Sequence, residues 1–198
     1  MKLKFLAIWS IPLLSLVLLL SSCEKDKPNI DPTPEKKEEP KKEKEEPKKE
    51  EPSPKKMTIK TDGKVLHFLP ADIEKYIWDY KKHKSEFVYK ADKVCVIDFN
   101  ATWCAPCRAL KPHLDLLAKK YDGQAYFIGV DIDQSDSMGS NKEVFKRCLE
   151  IFYPTNKQFG GSIPAMILVS ADGKKIKTLV GFSRKVLDEL NAFVEEHK

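Results

Sequence analysis

The segment Trp103-Cys104-Ala105-Pro106-Cys107 joins two thiols through a two-residue spacer. It lies between a short apolar, β-branched run, Val94–Phe99, and a stretch of helical periodicity over 104–121. A cysteine at a strand-to-helix junction meets the unpaired N–H groups and positive dipole end of the helix, which favour thiolate over thiol. Cys104 is therefore the expected nucleophile. Cys107, one turn later, is close enough to close a small disulfide ring with it or to attack a mixed disulfide. Pro106 falls in the first helical turn, where a missing N–H is tolerated. Asp98 is a carboxylate within the apolar run, six residues before Cys104. It reads as a proton acceptor whose pKa burial raises, the alternative being a satisfied polar residue at a strand end.

Other uses of these residue types are weaker. A zinc site would need two further ligands at suitable spacing, and Cys95, Cys148 and His113 do not supply them. Cys95 in the apolar run and Cys148 on an apolar helix face read as buried thiols, with a second disulfide between them as the alternative. His67, His83, His113 and His197 are isolated, and none makes a convincing ligand. No metal and no organic cofactor are expected.

The elements that must position this chemistry follow from periodicity. Thr58–Thr61 and Lys64–Leu69 flank Asp62-Gly63, which predicts a hairpin. Ile73, Tyr76, Ile77 and Tyr80 predict a helix after Pro70. Strands are expected at 94–99, 125–130, 165–170 and 174–180, the last two around an Asp172-Gly173 turn. Helices are expected at 104–121, at 140–152 with Ser140 and Glu143 as a capping box, and at the C-terminus through Val186, Leu187, Leu190 and Val194. The order predicts an α/β domain: one central mixed β-sheet, parallel strands first and an antiparallel hairpin last, with helices on both faces.

Charge divides the chain before that domain begins. Residues 24–56 hold 11 Lys, 11 Asp or Glu and 7 Pro, with Ile30 the only strongly apolar side chain. Such a stretch cannot form a core. As a Pro-punctuated spacer it could reach on the order of 100 Å at about 3.1 Å per residue. Residues 57–198 then form one domain carrying 22 Lys plus Arg against 19 Asp plus Glu. That balance gives no concentrated basic surface, so nucleic acid is not an expected partner. Ahead of the spacer, Lys2 and Lys4 precede an uncharged run from Phe5 to Leu20, too short for a retained membrane helix and matching a signal peptide over 1–22. Leu20-Ser21-Ser22-Cys23 resembles the lipobox of bacterial lipoproteins. Residues 23–56 thus read as a lipidated Cys23 followed by a disordered linker, tethering the domain to a membrane of the bacterial cell envelope on the extracytoplasmic side.

The run from Val96 to Arg108, strand, aspartate and Trp-Cys-Ala-Pro-Cys in unbroken register, resembles the thioredoxin family. Pro112 matches its helix-kinking proline, Val130-Asp131-Ile132-Asp133 the end of its next strand, and Gly173 and Gly181 its late glycines. Ile163-Pro164-Ala165 resembles the cis-proline loop. Tyr153-Pro154-Thr155 is a rival, but only Pro164 leads directly into an apolar strand, Met166-Ile167-Leu168-Val169. With the lipobox, the likeness is to exported, thioredoxin-like disulfide reductases of bacterial envelopes.

This resemblance implies a thioredoxin fold and a redox disulfide between Cys104 and Cys107. It also implies that Trp103, Ala105, Pro106, Ile163 and Pro164 face the substrate. The implied partners are protein substrates with disulfides and an upstream electron-donating thiol–disulfide protein. The rival class is a non-catalytic lipoprotein using the fold as a protein-binding module. Three departures stand out. Ala105 replaces the usual Gly, Gly129 stands where the family has a Lys near the aspartate, and Asp133 and Pro164 are farther apart than in short thioredoxins. The last predicts an insertion over 134–158, before the cis-proline, carrying the Ser140 helix.

Overall fold

Seven residues at the centre of the sheet, Val94–Asn100, form strand β2, and all but Asn100 are buried. A strand covered on both faces needs apolar side chains at odd and even positions alike, which is why this run does not alternate. The computed structural model describes residues 55–153 and 161–198. Cys23, the linker up to residue 54 and Pro154 lie outside them.

On one side β2 pairs in parallel with β3, Ala125–Asp131, whose outer edge carries the short parallel strand β1, Leu66–His67. The small antiparallel pair β4, Ser135–Asp136, and β5, Gly139–Ser140, stands apart from the sheet. On the other side β2 pairs antiparallel with β6, Ala165–Val169, and β6 with β7, Ile176–Val180, giving the order β1-β3-β2-β6-β7. The expected mixed sheet is present. Gly173 makes the β6–β7 turn at φ +78°, and a Cβ there would come within 2.9 Å of Tyr89, so glycine is required twice over.

Alternate residues of the sheet enter two separate cores. Cys95, Ile97, Phe99, Tyr126, Ile128, Ala165 and Ile167 pack under α1, Pro70–Asp72, the π-helical turn Ile73–Ile77, and α3, Asn141–Phe152. Val94, Val96, Phe127, Met166 and Leu168 pack under α2, Ala105–Lys120, and α4, Arg184–His197. Helix α3 begins at the expected residue, with the Ser140 hydroxyl accepting the Glu143 N–H at 3.2 Å; this is one half of the expected capping box, and no return bond joins the Glu143 side chain to the Ser140 N–H. It belongs to the core, since Val144, Phe145 and Cys148 are buried. The buried Asn141 amide ties it to the sheet by donating to the carbonyls of Phe68 and Asp131.

Two local expectations are corrected. Residues 58–61 and 64–69 do not pair with each other, although Gly63 turns the chain at φ +74°. Met57 instead bridges Ala91, the Ile59 N–H donates to the Tyr126 hydroxyl, and Thr61 donates to Asp122. The Asp-Gly signal identified a turn, but distant partners decided what each arm paired with. The helix expected through Tyr80 ends at Trp78, which is extended at φ −162°, ψ 124°. Trp78 and Tyr80 reach the core from outside the helix, the indole N–H donating to the Glu86 carbonyl.

Candidate active site

The central strand β2 ends at Asn100, and helix α2 starts five residues later. Cys104 is the N-cap, with extended backbone at φ −78°, ψ 106°. Its sulfur accepts the Cys107 N–H at 3.3 Å, satisfying one of the donors that a helix start leaves unpaired. That N–H and the helix dipole favour negative charge on Cys104 once the thiol is free. Cys104 and Cys107 form a disulfide across a Cα–Cα distance of 5.3 Å. Pro106, in the first turn, removes no donor the helix needs.

Both sulfurs are nearly covered, at 4% and 5% residue exposure, packed with Ala101, Ile132 and Ile163. Around Cys104, however, the surface is accessible. Trp103 is 65% exposed and anchored only at its rim, where the indole N–H donates to Asp133 at 2.6 Å. Ala105 and Pro106 are exposed as well. The Ile163–Pro164 peptide bond is cis, as expected for Pro164. The Ile163 carbonyl oxygen lies 3.7 Å from the Cys104 sulfur, while the Pro164 carbonyl accepts the Gly181 N–H. Thus four predicted substrate-facing residues, Trp103, Ala105, Pro106 and Ile163, surround one sulfur, and Pro164 is buried behind them.

Asp98 lies on the α2 side of the sheet, 5% exposed. Burial pushes its pKa up to about 7, partly offset by Asn100, whose amide donates to one carboxylate oxygen at 3.1 Å. The other oxygen, Oδ1, has no hydrogen-bond partner. Asp98 and Cys107 line a common cavity of about 290 Å³, with His67, Arg108, Lys111 and Gly129 also on its wall. Gly129 therefore does not leave the cavity without basic groups. Among the described residues no cluster of His, Cys, Asp or Glu could hold a metal ion.

A sequence model of the thioredoxin family matches residues 77–196. The chain belongs to the thioredoxin family. The thioredoxin of Borreliella burgdorferi is 33% identical over 106 residues, 54% of this chain and 75% of that protein. The thioredoxin of Staphylococcus saprophyticus is 35% identical over 104 residues, 52% of this chain and 82% of that one. The solved structure of reduced Schistosoma mansoni thioredoxin pre-protein covers 68% of this chain and 99% of its own, at 24% identity and a TM-score of 0.44.

As a thioredoxin-family protein with an intact Cys104–Cys107 pair, the chain is a thiol–disulfide oxidoreductase. Cys95 and Cys148 are buried free thiols, as their sequence contexts predict, and burial drives both pKa values far up. Sequence reasoning missed Asn100 and His67. Asn100 had a usable signal, because Asp98 and Asn100 must share a strand face. His67 had none, since the arm expected over 64–69 was paired with 58–61 and only its true partner, β3, brings the imidazole over Gly129.

Proposed function

We propose that this thioredoxin-family protein is a lipid-anchored protein disulfide reductase acting outside the cytoplasm of a bacterium. The observation that carries the catalytic half is the placement of Asp98 and Cys107 on one cavity, with an unpartnered carboxylate oxygen. Cys104, as the thiolate at the helix start, attacks an accessible substrate disulfide: a mixed disulfide forms, the substrate S–S bond breaks, and one substrate sulfur leaves as a thiolate that takes a proton from solvent. Cys107 then loses its proton to Asp98 and attacks the Cys104 sulfur. The mixed S–S bond breaks, the Cys104–Cys107 bond forms, and the second substrate sulfur leaves as a thiolate that takes a proton from solvent. Two electrons pass from the cysteine pair to the substrate. A carboxyl titrating near neutral pH suits this exchange.

Substrate selection falls to the surface around Cys104. Trp103, Ala105, Pro106 and the Ile163 backbone are positioned to receive an extended segment bearing the disulfide. Each turnover leaves the pair oxidised, so an upstream thiol–disulfide protein must return the electrons. Export and anchoring are supported by the charged and apolar runs before Leu20-Ser21-Ser22-Cys23, and the Lys/Glu/Pro spacer gives the domain reach.

Redox titration tests the direction. A potential near the thioredoxin value of about −270 mV, with the pair held reduced in cells, is expected, whereas one near about −120 mV would make the protein an oxidant. Cys23→Ser should abolish acylation and membrane retention while leaving insulin reduction intact. Fatty-acid label on the Ser variant in the membrane fraction would refute the anchor.

A further inference from the structure

His67, Gly129 and Asp98 form one cross-strand row: His67 pairs with Gly129 across β1–β3, and Gly129 with Asp98 across β2–β3. Their shared register puts all three on the same face of the sheet. The middle position has no side chain, and the imidazole occupies the space this leaves. A Cβ at position 129 would lie 3.3 Å from His67 Nδ1 and 3.5 Å from Cε1. Glycine thus leaves the ring room to lie against β3, on the face of the sheet that carries Asp98. Two strand spacings separate the Cα atoms of His67 and Asp98 by about 9 to 10 Å, and the imidazole spans part of that distance.

No hydrogen bond or ion pair joins the two side chains directly, but both line the same cavity. Asp98 Oδ1 is buried without a partner, and a cavity of about 290 Å³ has ample room for water between polar groups. The other charged groups on this wall are Arg108 and Lys111, both from α2; β3 contributes only Gly129. Arg108 donates to the Thr102 carbonyl and is exposed, as is Lys111. Of the three basic side-chain types, only imidazole readily both takes and gives a proton near neutral pH. His67 is itself exposed, and among the described residues its side chain makes no hydrogen bond or ion pair.

We propose that His67 is the proton relay between Asp98 and solvent, linked to the carboxyl through water in the cavity below Gly129. The inference rests on Asp98 serving Cys107 as proposed above. In the resolving step the Cys107 proton goes to Asp98, then by water to one imidazole nitrogen, while the imidazole releases a proton to bulk solvent. No electrons pass through His67. It acts through Asp98 and touches neither sulfur.

The test is single-turnover reduction of a peptide disulfide by the full-length, pre-reduced protein between pH 6 and 8. Acid quenching separates attack by Cys104 from resolution by Cys107. His67→Ala should slow resolution about three- to tenfold, less than loss of a direct general base, and leave attack unchanged. Added imidazole should restore the rate, and His67→Gln should stay slow because an amide does not titrate. In an Asp98→Asn background, His67→Ala should add no further loss. An unchanged rate in His67→Ala, a wild-type rate in His67→Gln, or no rescue by imidazole would overturn the relay. Should Asp98→Asn itself leave resolution unchanged, the assignment of Asp98 fails, and the relay with it.

Discussion

Four of the five cysteines fall within the described domain, and they divide into two regions that differ in chemistry more than in burial. Cys104 and Cys107 are 4% and 5% exposed, Cys95 and Cys148 0% and 2%, so exposure alone barely separates them. Surroundings do. Cys95 sits within β2 and Cys148 within α3, in a core of apolar side chains where burial opposes the thiolate. Cys104 instead caps a helix, with a backbone N–H directed at its sulfur and an exposed indole beside it. What sets Cys104 apart is its place at the start of a helix, whereas Cys95 and Cys148, enclosed in the apolar core, are packing residues.

The largest effects should come from the loop pair. Cys104→Ser should reduce insulin-disulfide turnover to the uncatalysed background. Cys107→Ser should retain the first attack and accumulate mixed disulfides through Cys104, detectable by mass spectrometry and reversed by dithiothreitol. Equal loss in both variants with no trapped adduct would remove the asymmetry between the two sulfurs.

Asp98→Asn comes next. It should slow the resolving step about tenfold to a hundredfold, at or below the low end of general-base effects because a thiol is already fairly acidic. Its effect on stability has the opposite sign. A carboxyl lifted from 3.8 to about 7 by burial loses folding free energy as pH climbs between those values, on the order of 4 kcal/mol at most. Urea denaturation of the two proteins should therefore diverge in favour of Asp98→Asn from about pH 4 to pH 8. A variant markedly less stable at pH 8 would make Asp98 a structural residue.

Smallest of all should be the effects in the interior pair. Cys148→Ala should lower stability by about 1 to 2 kcal/mol through the small cavity it leaves, with turnover unchanged. Cys95→Ala should behave alike. A tenfold loss of activity in either variant at intact fold would break the contrast between the two regions.

Much of this contrast was legible in the sequence because its strongest signals are local. The redox spacing, the β2 run, the Ser140 cap and the apolar strand after Pro164 each depend on a few neighbouring residues, and each lies where expected. The partner of β1 was not legible, although the strand itself lies within the arm expected over 64–69. Leu66 and His67 pair with β3, some sixty residues away, and no local turn chemistry can announce that register. The same gap hid His67 from the candidate site, since its place over Gly129 exists only once three strands are aligned. The helix through Tyr80 was overextended for a related reason: its spacing is helical, yet Tyr80 is buried from beyond the helix end.

The central claim is that helix-start geometry makes Cys104 the nucleophile of the reduced protein. The most direct measurement is site-resolved alkylation of the dithiothreitol-reduced, folded chain with iodoacetamide at mildly acidic pH, read by peptide mass spectrometry. Cys104 should be modified first, Cys107 well behind it, and Cys95 and Cys148 only after unfolding. Faster labelling of Cys107, or labelling of Cys95 or Cys148 in the native protein at the rate of Cys104, would contradict it.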